Sequence, residues 1–337
     1  MVEDIDGRVI VAAGIAPADA PVERFAEIRC GPGKAAIGRV VGRGSGLLVG
    51  AVVSSLANAL AALAGTTHEH APGGAAAHRL EAELALSRRI QRSLIPLTPP
   101  DLRGFEVATH YEAAREIGGD FFDVFQLRER AGRAGIVIAD VTGKGIAAAL
   151  LMAFARPLMR SAIDQVRDPV AALERTNSIL VQERRSALFI TALAAVLDLR
   201  THVLRVANAG HEPPLLIPAD GRPARWMTAS GPLLGAFASL DLVPCEVSLA
   251  PGDLVLLYTD GVTDARAASG ERFGDDRLLE VVEAARDGSA QDLLDAIVVA
   301  TRAFQGDMPA ADDVTIVAIR REGRRTGRQS IPTPVVK

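Results

Sequence analysis

The sequence predicts an α+β protein whose main domain is built from antiparallel sheets with helices packed on their outer faces. Two observations carry this. Beyond Phe105, strand-like and helix-like segments are mixed without the regular alternation that a parallel sheet requires. Several strands also follow one another through short turns, which pairs neighbours antiparallel and leaves the helices outside. With 337 residues, 49% hydrophobic and 23% charged, the chain has ordinary globular composition and length for one large or two modest domains.

Residues 1–65 read as a small module, with short apolar runs such as VIVAAG and an Ala-rich helix from Leu47 to Leu63. The stretch from Gly44 to Gly65 is uncharged and long enough to cross a bilayer. It is rich in Ala, Gly, Ser and Asn and poor in Leu, Ile and Phe, so a buried helix is favoured over a membrane span. Residues 66–95 begin with THEHAPGGAAAH, a linker whose histidines lack regular ligand spacing. An amphipathic helix from Ala76 to Leu94 follows, carrying Leu80, Leu84, Ile90 and Leu94 among charges, until Pro96, Pro99 and Pro100 stop it. It can pack on the next domain, or dimerise and carry a signal from the module before it; the residues leave both open.

Residues 96–321 form the main domain. Its predicted strands are Phe105 to Ala113, Phe121 to Leu127, Ala134 to Asp140, Ile190 to Asp198, Val203 to Ala207, Leu215 to Pro218, Leu254 to Tyr258 and Val314 to Arg320. The predicted helices are Ile146 to Asp164, Pro169 to Glu183, Asp276 to Ala285 and Ala290 to Phe304. Residues 322–337 read as a tail.

A formal net charge of -4 argues against a nucleic-acid surface, and the basic stretch from Arg320 to Arg328 reads as a solvated end. Two cysteines, Cys30 and Cys245, cannot make a disulfide framework, and no leader with a basic start and apolar core opens the chain. A cytoplasmic protein is expected.

The chemistry lies in aspartates at strand ends. AGIVIAD runs apolar into Asp140 before TGKG, and DLVLLYTD runs into Asp260 before Gly261. GGDFFDVF starts a strand at Asp120, and DDVTIVAI starts one at Asp312 and Asp313. Antiparallel neighbours would bring all of these points to one edge. A single aspartate there is usually a turn residue or a cap. Four motifs, each joining an apolar strand, an Asp and a Gly-marked break, make coincidence a poor explanation, although the ligand at GGDFFD and at ADD stays a choice. Gathered carboxylates resist ionising together, and a divalent cation is the natural compensation. With oxygen donors and no nearby Cys or His set, Mg²⁺ or Mn²⁺ is favoured over Zn²⁺. Two such ions can activate a water and neutralise a phosphoryl group, so hydrolysis of a phosphate ester suits the set.

Taken in order, GGDFFD, IADVTGKG, ANAGHEPPLL, LYTDGVTDA and ADDVTIVAI resemble the SpoIIE/RsbU branch of the metal-dependent (PPM-type) serine/threonine phosphatases, over roughly Glu83 to Arg320. RRIQRSLIP is similar to the helix that precedes the catalytic domain in that branch. The resemblance implies a four-layer αββα sandwich holding two Mn²⁺ or Mg²⁺ ions. It makes Asp120, Asp140, Asp260 and Asp312 the metal ligands, with the backbone carbonyl of Val141 joining them and Asp313 as the rival of Asp312. The substrate it implies is a phosphorylated STAS-domain anti-sigma-factor antagonist in a partner-switching pathway. Where other members of the wider family carry a glycine and then a histidine, Val141 and Thr142 stand here, so no general acid is identified. His211 is a candidate, with loop ordering the favoured role. Arg115 can reach a substrate phosphate or sit on the surface.

The first module is similar to the end of a GAF-type sensor, too short for a whole one, and is where an upstream regulator would act. A homodimer through the N-terminal helices is the expected assembly. Two other readings compete. A diguanylate cyclase would explain GGDFF, but Phe121 replaces its acidic residue and two motifs go unused. A non-catalytic binding module of the same fold has no reason to keep the charge cluster.

Overall fold

In a computed structural model, the strands at 2–4, 9–11, 23–29 and 36–43 are described by their backbone, and the chain is described from 88 to 323 apart from 90, 92, 97, 116, 129–131 and 183–187. The Leu47–Leu63 helix, the membrane question over 44–65, the histidine-bearing linker and most of the Ala76–Leu94 helix lie outside the described residues. Residues 88, 89, 91, 93 and 94 are helical and are the described part of that last helix. The first segment forms a four-stranded antiparallel sheet in the order β2-β1-β4-β3, from β1 (Val2–Asp4), β2 (Val9–Val11), β3 (Glu23–Arg29) and β4 (Ala36–Arg43). Sequence patterning had not marked these strands.

The main domain has the four layers expected. One five-stranded antiparallel sheet runs β11 (Arg225–Trp226), β10 (Leu215–Ile217), β13 (Leu254–Tyr258), β14 (Val314–Arg321), β5 (Phe105–Glu112). The other runs β12 (Cys245–Ser248), β9 (Val203–Ala209), β8 (Ile190–Asp198), β7 (Arg133–Val141), β6 (Phe121–Gln126). Helices α1 (Ile146–Val166) and α2 (Pro169–Gln182) cover the second sheet. Helices α3 (Asp260–Thr263), α4 (Gly274–Ala285) and α5 (Ala290–Gln305) belong to the face of the first.

Burial on both faces explains why the central strands read as unbroken apolar runs. In β7, Ile136 and Ile138 enter the core between the sheets, while Val137 and Ala139 meet the helices. In β14, Val317 and Ile319 point inward and Ile316 and Ala318 toward α5. Side chains on a strand alternate, so one run serves two cores. Helix α1 is, among the described residues, the one long and apolar enough to cross a membrane by length and composition. Its apolar side, including Met152, Ala155, Met159 and Ile163, is buried with the second sheet.

The same alternation resolves the two aspartates of GGDFFD. Phe121 and Phe125 point toward α1, and Asp123 shares their parity, while Phe122 and Val124 enter the core between the sheets. Asp123 has a side chain only 1% exposed and ion-pairs at 2.8 Å with both Arg156 and Arg160 of α1. It fastens the helix to the sheet and takes no part in the aspartate cluster at the strand ends. Arg160 also lies over the Phe125 ring, 4.2 Å from its centroid.

Three described elements of the main domain were not foreseen: β11 is two residues long, β12 is a four-residue edge strand with alternating exposure, and α3 is a single turn starting at Asp260. None is long enough to leave a periodic signal.

Candidate metal centre

Strand pairing builds the centre in two halves. In the second sheet β6 and β7 are antiparallel with Phe121 opposite Ala139, so Asp120, just before β6, meets Asp140 near the end of β7. In the first sheet β13 and β14 pair with Tyr258 opposite Ile316, which brings Asp260 and the Asp312–Asp313 pair together. The expectation of one shared edge is thereby refined: each sheet contributes half the acids, and stacking of the sheets joins the halves.

The halves are fastened by two threonines that sequence reasoning missed. Thr259 and Thr315 each donate a hydroxyl hydrogen bond of 2.7 Å to Oδ2 of Asp120. The Thr315 amide in turn donates to Thr259 Oγ1 at 3.0 Å. Asp120, 2% exposed, therefore belongs to one sheet by chain and to the other by hydrogen bonding. The signal in the sequence was faint: a Thr immediately before Asp260 and a Thr two after Asp313.

Charge in this arrangement is strongly frustrated. Burial, then the charges of Asp140 and Asp313, raises Asp120 well above the usual carboxylate range. Burial, then Asp260 and Asp312, pushes Asp140 up to about 7. Asp260 is raised by burial and then by Asp312 and Asp264. Glu212, in the NAGHEPP motif, is raised by burial and by Asp260, Asp275 and Asp264. All four shifts mark a place that would gain from positive charge.

Asp312 and Asp313 are adjacent in sequence and differ in placement. Asp313 is 6% exposed, and its carboxylate accepts the Ala114 amide at 2.8 Å on one oxygen and the Gly119 amide at 2.7 Å on the other. It holds the loop before β6. Asp312, with a side chain 37% exposed, lies beside Lys144 Nζ at 2.8 Å and within electrostatic reach of Asp140 and Asp260. The Val141 carbonyl faces the same loop, since a Cβ built on Gly119 would come within 2.9 Å of it. Gly261 is closer still: a Cβ there would meet the Asp313 carbonyl oxygen at 1.9 Å, which fixes how tightly α3 approaches β14.

Two candidates remain. Arg115 is exposed on the loop between β5 and β6. His211 is buried: its Nδ1 bonds Thr191 Oγ1 at 2.9 Å, and Asn208 clamps its backbone N–H and C=O. Burial pushes its imidazole down to about 4, so it is neutral near pH 7 and orders its loop.

The donor set fits a hard divalent cation: carboxylates and a backbone carbonyl, with no cysteine or histidine among them. Among the described residues no group of three or more acidic, histidine or cysteine side chains stands arranged to hold a metal ion. The raised proton affinities of Asp120, Asp140 and Asp260 still mark a place that the field of a cation would stabilise.

A pH dependence follows. Asp140 has a folded pKa raised above its unfolded value, so its contribution to stability is present at low pH and lost as pH rises through about 7. In chelator, the stability of the parent relative to Asp140→Asn is expected to fall by about 1 kcal/mol between pH 6.5 and 8, a difference from which the titration of buried histidines such as His211 cancels. Added Mn²⁺ should restore it. A difference between parent and variant that stays level across this window in chelator would contradict the electrostatic picture.

Comparison with known proteins agrees with this fold. Residues 130–322 match the family model described as Stage II sporulation protein E (SpoIIE). The chain is 30% identical over 266 residues to Protein IcfG of Synechocystis sp., covering 71% of this chain and 41% of that protein. It is 28% identical over 243 residues to the phosphoserine phosphatase RsbU of Bacillus subtilis, covering 72% of this chain and 71% of that one. Among solved structures, the SiaA-PP2C domain of Pseudomonas aeruginosa superimposes with a TM-score of 0.65 at 27% identity, covering 74% of this chain and 99% of that domain.

Proposed function

This chain belongs to the SpoIIE family, and from that premise we propose that it is a metal-dependent protein phosphatase acting on phosphoserine or phosphothreonine. The observation that carries the proposal is the acidic cluster built from both sheets, in which Asp120, Asp140 and Asp260 all hold their protons more tightly than free carboxylates do. Similarity to a relative named a phosphoserine phosphatase supports the choice of reaction.

In this reading Asp120, Asp140, Asp260 and Asp312, with the Val141 carbonyl, hold two Mn²⁺ or Mg²⁺ ions. When bound, such ions supply Lewis acidity, a water deprotonated near neutral pH, and neutralisation of charge on the phosphoryl group. The protein's own groups do the placing. Thr259 and Thr315 fix the Asp120 carboxylate, and Asp313 holds the loop that delivers it. Lys144 and the exposed Arg115 are the cations nearest in sequence to Asp140 and Asp120, and they bring positive charge toward an incoming phosphate.

The substrate class follows from the resemblance set out above: a phosphorylated STAS-domain anti-sigma-factor antagonist, docking as a folded protein on the surface beside the acids. Regulation would enter through the segment before residue 66. The test is phosphate release by the full chain from a phosphoserine-bearing STAS protein and from an aryl phosphate, with Mn²⁺ or with chelator. Manganese-dependent release from both, faster from the protein, is expected. Metal binding by calorimetry without release from either would favour a binding module that keeps the fold.

A further inference from the structure

The helical residues before Ile95 meet the domain through a buried polar side chain, that of Gln91. Gln91 is 5% exposed, and its carboxamide makes both hydrogen bonds that a peptide group can offer to a single residue: Nε2 donates to the Gly118 carbonyl at 2.5 Å, and the Gly118 amide donates to Oε1 at 2.9 Å. Gly118 stands two residues before Asp120. Two-point pairing of this kind fixes the orientation of the residue as well as its distance.

The opposite side of the same backbone is equally constrained. The Gly119 amide donates to Asp313. A Cβ on Gly118 would lie 2.1 Å from Asp313 Oδ2 and 2.7 Å from the Tyr111 hydroxyl, and one on Gly119 would lie 2.9 Å from the Val141 carbonyl and 3.4 Å from Ala148 of α1. The Gly118–Gly119 backbone is thus pressed between β14, the end of β7 and the first turns of α1, with Gln91 closing the remaining side. A bulkier residue at either position would not fit, and a slipped backbone would carry Asp120 with it.

We propose that Gln91 is a positioning residue for the metal centre: by holding the Gly118 peptide it sets where Asp120 stands relative to Asp140 and to the Val141 carbonyl. The proposal rests on the metal-centre reading and adds to it a group from outside the sandwich that touches neither metal nor substrate. Hydrogen-bonded partners of ligating groups typically change metal affinity by about 10–100-fold when removed, and a partner acting through backbone belongs at the lower end.

The test compares the full chain with Gln91→Met, which fills similar space without hydrogen-bonding, and Gln91→Glu, which keeps the acceptor for the Gly118 amide but loses the donor to its carbonyl. Mn²⁺ affinity is measured by calorimetry without substrate, and amide exchange of the segment around Gly118 and Gly119 is measured in the metal-free chain. Gln91→Met should bind Mn²⁺ roughly tenfold more weakly and exchange the segment faster, with Gln91→Glu between it and the parent. Half-saturating Mn²⁺ for phosphate release should rise in step, while turnover at saturating metal changes little. A residue that merely packs would lower the melting temperature and leave the Mn²⁺ affinity of the folded protein alone. Wild-type affinity and exchange in Gln91→Met would overturn the proposal. A parent chain that binds Mn²⁺ but releases no phosphate would instead count against the phosphatase reading, with the effect of Gln91 on affinity still measured. A parent that binds no Mn²⁺ would overturn both.

Discussion

Asp140→Asn is expected to lower manganese-dependent phosphate release by on the order of 10³-fold while making the metal-free protein more stable. The loss follows from charge: the carboxylate lies at the centre of the cluster, coupled to Asp120, Asp260 and Asp312, and metal ions contribute several kcal/mol to the transition state of phosphoryl transfer. At about 1.4 kcal/mol per decade, several kcal/mol is roughly three decades. The gain follows from the same residue's raised proton affinity. Near pH 8 an ionised Asp140 opposes folding, and an amide of the same shape removes that repulsion. Melting in chelator and phosphate release in Mn²⁺, measured on one preparation, should therefore move in opposite directions. A variant that loses activity together with metal-free stability would mean that Asp140 serves the fold, and the site assignment would fail.

Three residues after Asp120, the same motif gives the opposite result. Asp123→Ala is expected to destabilise the domain by about 3–5 kcal/mol, because it strands a guanidinium that burial already disfavours: Arg156 has a side chain only 17% exposed, and its burial lowers the affinity for its proton. For a domain of this size that is a fall in melting temperature on the order of 10 °C. The double change Asp123→Leu with Arg156→Met should recover most of the loss, since a buried ion pair is often matched by apolar groups of similar volume. Mn²⁺ affinity of the folded Asp123→Ala protein should stay near that of the parent. A single variant as stable as the parent would show that the Asp123–Arg156 pair does not fasten α1.

The two aspartates of GGDFFD also show what the sequence could and could not convey. Strand positions were legible because doubly buried strands leave long apolar runs, and the ends of β8 and β13 are as patterning places them. Choosing between Asp120 and Asp123 required knowing that both faces of β6 are covered, so that an acid could point to a helix and meet arginines. Similarly, Asp312 and Asp313 are chemically identical neighbours; what separates them is the loop amides that reach Asp313 from residues 114 and 119, far away in the chain. Thr259, Thr315 and Gln91 were invisible for the same reason. Hydroxyls and a carboxamide carry no periodic signal, and their partners lie up to 195 positions away.

The order of strands in the first sheet has a consequence for how the protein comes into being. β5 opens the domain, yet its hydrogen-bonded neighbour is β14, the last strand among the described residues, which also pairs with β13. Contacts of such wide sequence separation form late and slowly. During synthesis the second sheet can assemble as soon as β12 emerges, bringing Asp120 and Asp140 together, but Asp312 and the hydroxyl of Thr315 arrive only with the final strand. A chain cut short before Asp312 would keep Asp120, Asp140 and Asp260 but lack Asp312, Asp313 and one of the two hydroxyls that hold Asp120, so the acid cluster closes only when β14 has been made.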